Sequence, residues 1–328
     1  MKKENVYKEI ADVCQNRQDA FLDKQNVVGV ATGHKIIEKE DKDTGKPCIT
    51  LFVTHKVGRD ELSSEDMIEE TTEEGIETDV VESGEIFAGG NADVAVQEEI
   101  GIETLRQRIR PAMGGFSVGH PKVTAGTIAT CVYDLRPFPG IPRRYYILSN
   151  NHVLANSNNA QIGDPILQPG RYDGGTIPGD IIARLSRFVP IRFKTPTSVP
   201  LNYVDAAIAE GQFHNLNREI FWIGYIKQVN SRPTVGTIVE KTGRTTNFTT
   251  GRITALNATI DVNYGGGRVA RFARQIVTTN MSAGGDSGSL VCDTKEGAVA
   301  LLFAGSSRVT IASPITYVQS FLGIRLHP

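Results

Sequence analysis

Apolar positions near the start of the chain keep helical spacing and then give way to strand texture. Val6, Ile10, Val13 and Cys14 recur every three to four residues, which predicts an amphipathic helix from Asn5 to about Leu22. Asn26–Ile37 and Pro47–Thr54 are rich in β-branched and apolar residues and predict two strands. The polar stretch Glu38–Lys46, with Gly45 as turn residue, joins them as a hairpin. Glu77–Glu82 alternates like a third strand, and Ser63-Ser64-Glu65-Asp66 ahead of Met67-Ile68 predicts the opening of a short helix. Residues 1–90 therefore read as a small α/β N-terminal domain.

Ala88-Gly89-Gly90-Asn91-Ala92 begins a linker that extends over 91–111, and a second domain runs from 112 to 328. There, short β-rich runs are punctuated by Gly, Pro, Asn and Asp, the texture of an all-β domain. Examples are Gly126–Tyr133, Tyr145–Leu148, Tyr203–Ala209, Gly251–Ala255, Arg274–Thr278 and Ala298–Phe303, and Pro314–Leu322 reads as a terminal helix. The 33 Gly and 15 Pro fit such a turn-rich fold.

Composition narrows the function classes. Hydrophobic residues make up 40% and charged residues 22% of the 328, as in an ordinary soluble globular protein. A net charge of −2 supplies no basic field for nucleic acid or an anionic membrane, so neither is expected as a partner. No run reaches the roughly 18 apolar residues of a spanning helix. The first residues lack the apolar core of a secretory signal, which makes a cytoplasmic location the expectation. Cys14, Cys48, Cys131 and Cys292 are scattered without a Cys-x-x-Cys pair, which favours reduced thiols over a metal knuckle or dithiol motif. Acidic residues crowd between Asp60 and Glu85 and read first as a solvated face. Glu69, Glu70, Glu73 and Glu74 could also recruit a basic partner. A prodomain, a partner-binding module or an oligomerisation element all suit the N-terminal unit, so a homo-oligomer stays open.

The candidate chemistry lies in the second domain. In Gly285-Asp286-Ser287-Gly288 the glycines let the backbone bend tightly enough for two N–H groups to converge beside a hydroxyl. Alone, such a loop also has a lesser reading as an ordinary turn. A serine hydroxyl needs a general base that is itself oriented by an acid. His152 ends the apolar run Ile147-Leu148-Ser149-Asn150-Asn151, and Asp205 opens Ala206-Ala207-Ile208-Ala209. Asp205 lies 53 residues beyond His152, and Ser287 another 82 residues on.

The blocks Asn-His-Val-Leu, Asp-Ala-Ala-Ile-Ala and Gly-Asp-Ser-Gly-Ser, in that order, are similar to the catalytic blocks of trypsin-like serine proteases over roughly residues 112–323. Leu148–Leu154 with Gly114–His120 resembles the narrow-leaf-type bacterial and plant group. The resemblance implies a chymotrypsin-like double β-barrel that needs no cofactor or metal and takes protein or peptide substrates. His152 would be the base, Asp205 its orienting acid and Ser287 the nucleophile, with the N–H groups of Gly285 and Ser287 as the oxyanion hole. Met281 would lie at the base of the primary pocket and Gly305 along its wall, which implies a small or apolar residue before the scissile bond. The sequence departs from the family in having no Ile-Val-Gly-Gly-like segment to release as an N-terminus that pairs with Asp286. That acid needs another partner; the Lys241–Thr246 cluster is a candidate and equally reads as an ordinary loop. The departure also leaves room for a catalytically silent binding module on the same scaffold; an esterase would share the triad.

Overall fold

The protein is described from a computed structural model, over residues 2–37, 42–89, 105–137, 140 and 142–327. Helix α1 (Lys2–Leu22) covers the range its spacing predicts. It lays Ile10, Cys14, Phe21 and Leu22 on Val27, Val30, Ile49 and Leu51 of strands β1 (Val27–Ile37) and β2 (Lys42–Val53). These two strands form the antiparallel hairpin, and β3 (Thr78–Glu82) runs parallel to β2. The short helix expected at Ser63 is a turn: the Ser63 hydroxyl donates to Asp66 (2.7 Å) and accepts the Asp66 N–H, closing the chain locally instead of extending it.

The second region contains two β barrels. In the first, strands lie in the order Pro165–Leu167, Ile181–Phe188, Ala207–Gly211, Tyr145–Ser149, Thr130–Asp134 and Ile324–Arg325. In the second, six strands close on themselves. The 17-residue strand Asn247–Asn263 pairs through its first half with Ile238–Gly243 and through its second half with Val269–Thr279. Val309–Pro314, Gly297–Gly305 and Leu290–Asp293 complete the ring. Helix Ile315–Leu322 then carries the chain back, so that Ile324 pairs with Asp134 of the first barrel. A shared core that includes Val132, Leu148, Ile208, Leu290, Leu301 and Ile315 fills the seam between the barrels.

The N-terminal unit shares a sheet with the second barrel. Strand β1 pairs antiparallel with the free edge of Asn247–Asn263, Gly29 opposite Ile260 and Gly33 opposite Ala255, so its sheet continues that of the second barrel. Arg271, itself 3% exposed, reaches Asp19 of α1 (2.8 Å), and Gln18 accepts from Thr259. The linker expected over 91–111 lies outside the described residues as far as 104. Its last part is packed, with Leu105 fully buried and the Gln168 side chain accepting the Ile109 N–H and donating to the Gln107 carbonyl. Just ahead of it, Phe87–Ala88 forms a short strand, β4. The four cysteines are free and buried, and burial pushes the thiols of Cys14, Cys48 and Cys131 up to about 12.

Candidate active site

His152 follows the strand Tyr145–Ser149 in a single helical turn, Asn151–Leu154. Asp205 lies just ahead of Ala207–Gly211, the neighbouring strand, with Ala207 opposite Ser149. Because adjacent strands end together, two side chains distant in sequence meet. The Asp205 carboxylate is fully buried, and its Oδ2 lies 2.6 Å from His152 Nδ1 while Oδ1 accepts the His152 backbone N–H (3.2 Å). A carboxylate only accepts, so Nδ1 donates, and in the neutral imidazole Nε2 is then the acceptor. The Asn150 side chain donates to the Asp205 carbonyl (2.7 Å) and fixes the backbone there.

Ser287 lies on the loop entering Leu290–Asp293 and is 2% exposed. Contacts across the seam tie it to the histidine turn. The Thr127 N–H donates to the Ser287 carbonyl (2.8 Å), and a Cβ added at Gly126 would meet both that carbonyl and Val153, the residue after His152. Gly285 and Gly288, either side of Asp286-Ser287, adopt φ of +98° and +96°, conformations that glycine takes without steric cost. The N–H groups of Gly285 and Ser287 donate to no group among the described residues. The Ser287 hydroxyl points to the Phe303 carbonyl (3.4 Å), and His152 Nε2 is buried without a partner among the described residues.

Asp286 finds its cation within the chain. It is fully buried, with Oδ2 3.1 Å from Lys241 Nζ, which is also 0% exposed. The same carboxylate accepts the backbone N–H groups of Thr245 (2.8 Å), Thr246 (3.1 Å) and Ala283 (3.0 Å) and the Thr246 hydroxyl (2.6 Å). Burial alone would push this carboxyl up. The Lys241 charge and these hydrogen bonds outweigh it and hold it below the usual range. Burial also pulls the Lys241 ammonium down, an effect that Asp286 offsets in part. Gly243 makes room, since a Cβ there would lie 2.4 Å from Asp286 Oδ1. The cluster named from sequence thus includes the partner, and the loop is ordered without a released N-terminus.

Sequence reasoning missed Tyr264. Its hydroxyl donates to Asp205 Oδ2 (2.7 Å), and burial together with the Asp205 charge raises it well above its ordinary pKa. It lies just past the end of Asn247–Asn263 with no local motif to mark it. Of the two pocket residues expected, Gly305 lies beside Ser282, whose Oγ would be 3.5 Å from a Cβ at that position. Met281 instead packs in the barrel core with Val239, Ile253 and Ile276. The hydroxyl beside Gly305 is therefore that of Ser282, 2.7 Å from the Thr310 hydroxyl.

No family model matches the chain. A stretch of 100 residues is 40% identical to glutamyl endopeptidase 2 of Streptomyces griseus, covering 28% of this chain and 49% of that protein, so the chain spans about half the length of this curated relative. Among solved structures, it is similar to protease A of Thermobifida fusca, with a TM-score of 0.44 at 16% identity over 65% of this chain and 96% of that one. It is also similar to a Nocardiopsis protease, at 0.45 and 15% over 66% and 98%. Double-barrel architecture, a histidine–aspartate pair at the seam and a serine loop whose Gly285 and Ser287 N–H groups donate to no group among the described residues thus occur together in a chain that is similar, over 100 residues, to a glutamyl endopeptidase.

Proposed function

We propose that the protein is a serine endopeptidase. The observation that carries this reading is the oriented His152–Asp205 pair at the same seam as Ser287, whose loop offers two unpaired N–H groups. In this reading His152 Nε2 takes the Ser287 proton as Oγ adds to a peptide carbonyl. The oxyanion is held by the N–H groups of Gly285 and Ser287. The proton passes to the leaving amine as the C–N bond breaks, leaving an acyl ester on Ser287. Water, deprotonated by the same nitrogen, then releases the acid and restores the serine. The case for a silent module rested on the lack of a partner for Asp286, and Lys241 fills that place.

By the resemblance, Gly305 would line the primary pocket, which favours a small or apolar residue before the scissile bond. The name of the Streptomyces relative favours an acidic one, and the Ser282 and Thr310 hydroxyls are the groups that would have to solvate it. Cleavage of a peptide panel varied at that residue decides between them. The broader reading is tested with a fluorophosphonate probe and peptide cleavage. Labelling is expected to vanish in Ser287→Ala, and peptide turnover to fall by roughly 10⁴-fold or more in His152→Ala with little change in melting temperature. Labelling that persists in Ser287→Ala overturns the proposal.

A further inference from the structure

The chain leaving the N-terminal unit runs along the strand beside the nucleophile. The Ser306 hydroxyl donates to the Ser83 carbonyl, Phe87 lies opposite Gly305 and Ala88 opposite Ala304 in antiparallel register, and the Gly89 N–H donates to the Phe303 carbonyl (3.1 Å). The other side of the segment is held too. The Ile86 carbonyl accepts the Asn263 N–H (2.8 Å), and the Asn263 side chain donates to Glu85 (2.7 Å). Ile86 is 1% exposed, in the same core cluster as Phe303, Ala304 and Val309. The Phe303 carbonyl is also the oxygen toward which the Ser287 hydroxyl points. One acceptor shared by two donors brings the Gly89 backbone next to the nucleophile.

A peptide hydrolase has to present its substrate extended, with a carbonyl at the nucleophile, and adding the peptide as a strand to an open sheet edge does both. Residues 303–305 pair with Val309–Pro314 on one side, which leaves the opposite edge as the place for such a strand. In this molecule β4 takes that edge.

We propose that Ile86–Gly89 is an intramolecular pseudosubstrate. It occupies the sites for residues on the N-terminal side of a scissile bond, with Gly89 nearest Ser287, and an incoming peptide competes with it. The inference rests on the endopeptidase reading and adds to it a latent state whose apparent activity scales with the fraction of molecules in which the edge is free. It also assigns a preference. An apolar side chain three residues before the one at Gly89 would take the buried seat of Ile86, and only short side chains suit the place of Ala88, which packs on the same cluster.

Two full-length variants test this. Gly89→Pro removes the N–H donor and cannot adopt the φ of +85° found there, and Ala88→Asp places a charge against the apolar cluster. Both are expected to speed fluorophosphonate labelling of Ser287 by about tenfold or more. Both should also raise amide exchange over residues 303–306, and the added peptide acetyl-Ile-Phe-Ala-Gly-amide should reverse both effects while leaving the wild type unchanged. Labelling as fast in the wild type as in both variants overturns the latent state. Unchanged exchange over 303–306 in both variants overturns the seat itself. Raised exchange with no labelling of any form leaves the seat standing and sinks the endopeptidase reading instead.

Discussion

Asp205 and Asp286 are both fully buried, and the chain uses them in opposite ways. Asp205 faces two hydrogen-bond donors, the His152 imidazole and the Tyr264 hydroxyl, and its partner histidine keeps 12% of its side chain exposed at the seam. Asp286 faces a fixed cation, Lys241, and three backbone N–H groups, all shut away from water. The first pair holds an imidazole in one orientation. The second spends its charge on backbone shape, tying the Ala283–Ser287 loop to the Lys241–Thr246 turn. Charge burial is costly in both, and each carboxylate offsets that cost through several hydrogen bonds rather than one.

The sharpest way to break this contrast is to remove the fixed cation. Lys241→Met leaves Asp286 buried and unpaired and should cost about 3–5 kcal/mol in urea denaturation, with Ser287 labelling lost as well. The double variant Lys241→Met/Asp286→Leu should recover part of the stability without restoring labelling, because the loop N–H groups have lost their acceptor. A single variant as stable as the wild type would show that the ion pair does not hold the loop.

On the other side, Tyr264→Phe removes one donor from Asp205 without touching His152. A lost hydrogen bond to a charged group is worth about 1.5–3 kcal/mol, so kcat/KM should fall by roughly ten- to a hundredfold. The acidic limb of its pH profile should shift along with the drop, a change that simple loosening of the fold would not produce. A pH profile that keeps its wild-type midpoints would make Tyr264 a packing residue only.

The smallest expected effect is a pH dependence of stability. The Asp286 carboxyl lies below the usual range in the folded protein, so its contribution is fully present above the unfolded carboxylate value near 4 and is lost as pH falls through its lower folded value. One such group adds a slope of up to about 1.4 kcal/mol per pH unit over that window. Urea denaturation of the wild type should therefore show a steeper acid limb than the double variant Lys241→Met/Asp286→Leu. Parallel limbs would place the acid sensitivity in other carboxylates.

Local pattern was enough to place several elements and to name candidate residues. Helical spacing placed α1, strand texture placed the β1–β2 hairpin although Gly45, expected in its turn, lies inside β2 at a register shift, and three short blocks named His152, Asp205 and Ser287, with Lys241 inside the cluster suggested for Asp286. Tertiary structure alone decided how distant segments share edges: β1 on Asn247–Asn263, Tyr264 on Asp205, β4 on the strand beside Ser287, and Met281 turned into the barrel core. The reason is physical. Periodicity and turn chemistry are set by a residue and its near neighbours, whereas an unpaired strand edge accepts any extended backbone. Which segment it takes depends on the packing of side chains more than two hundred residues apart, as Gly29 opposite Ile260 and Phe87 opposite Gly305 show.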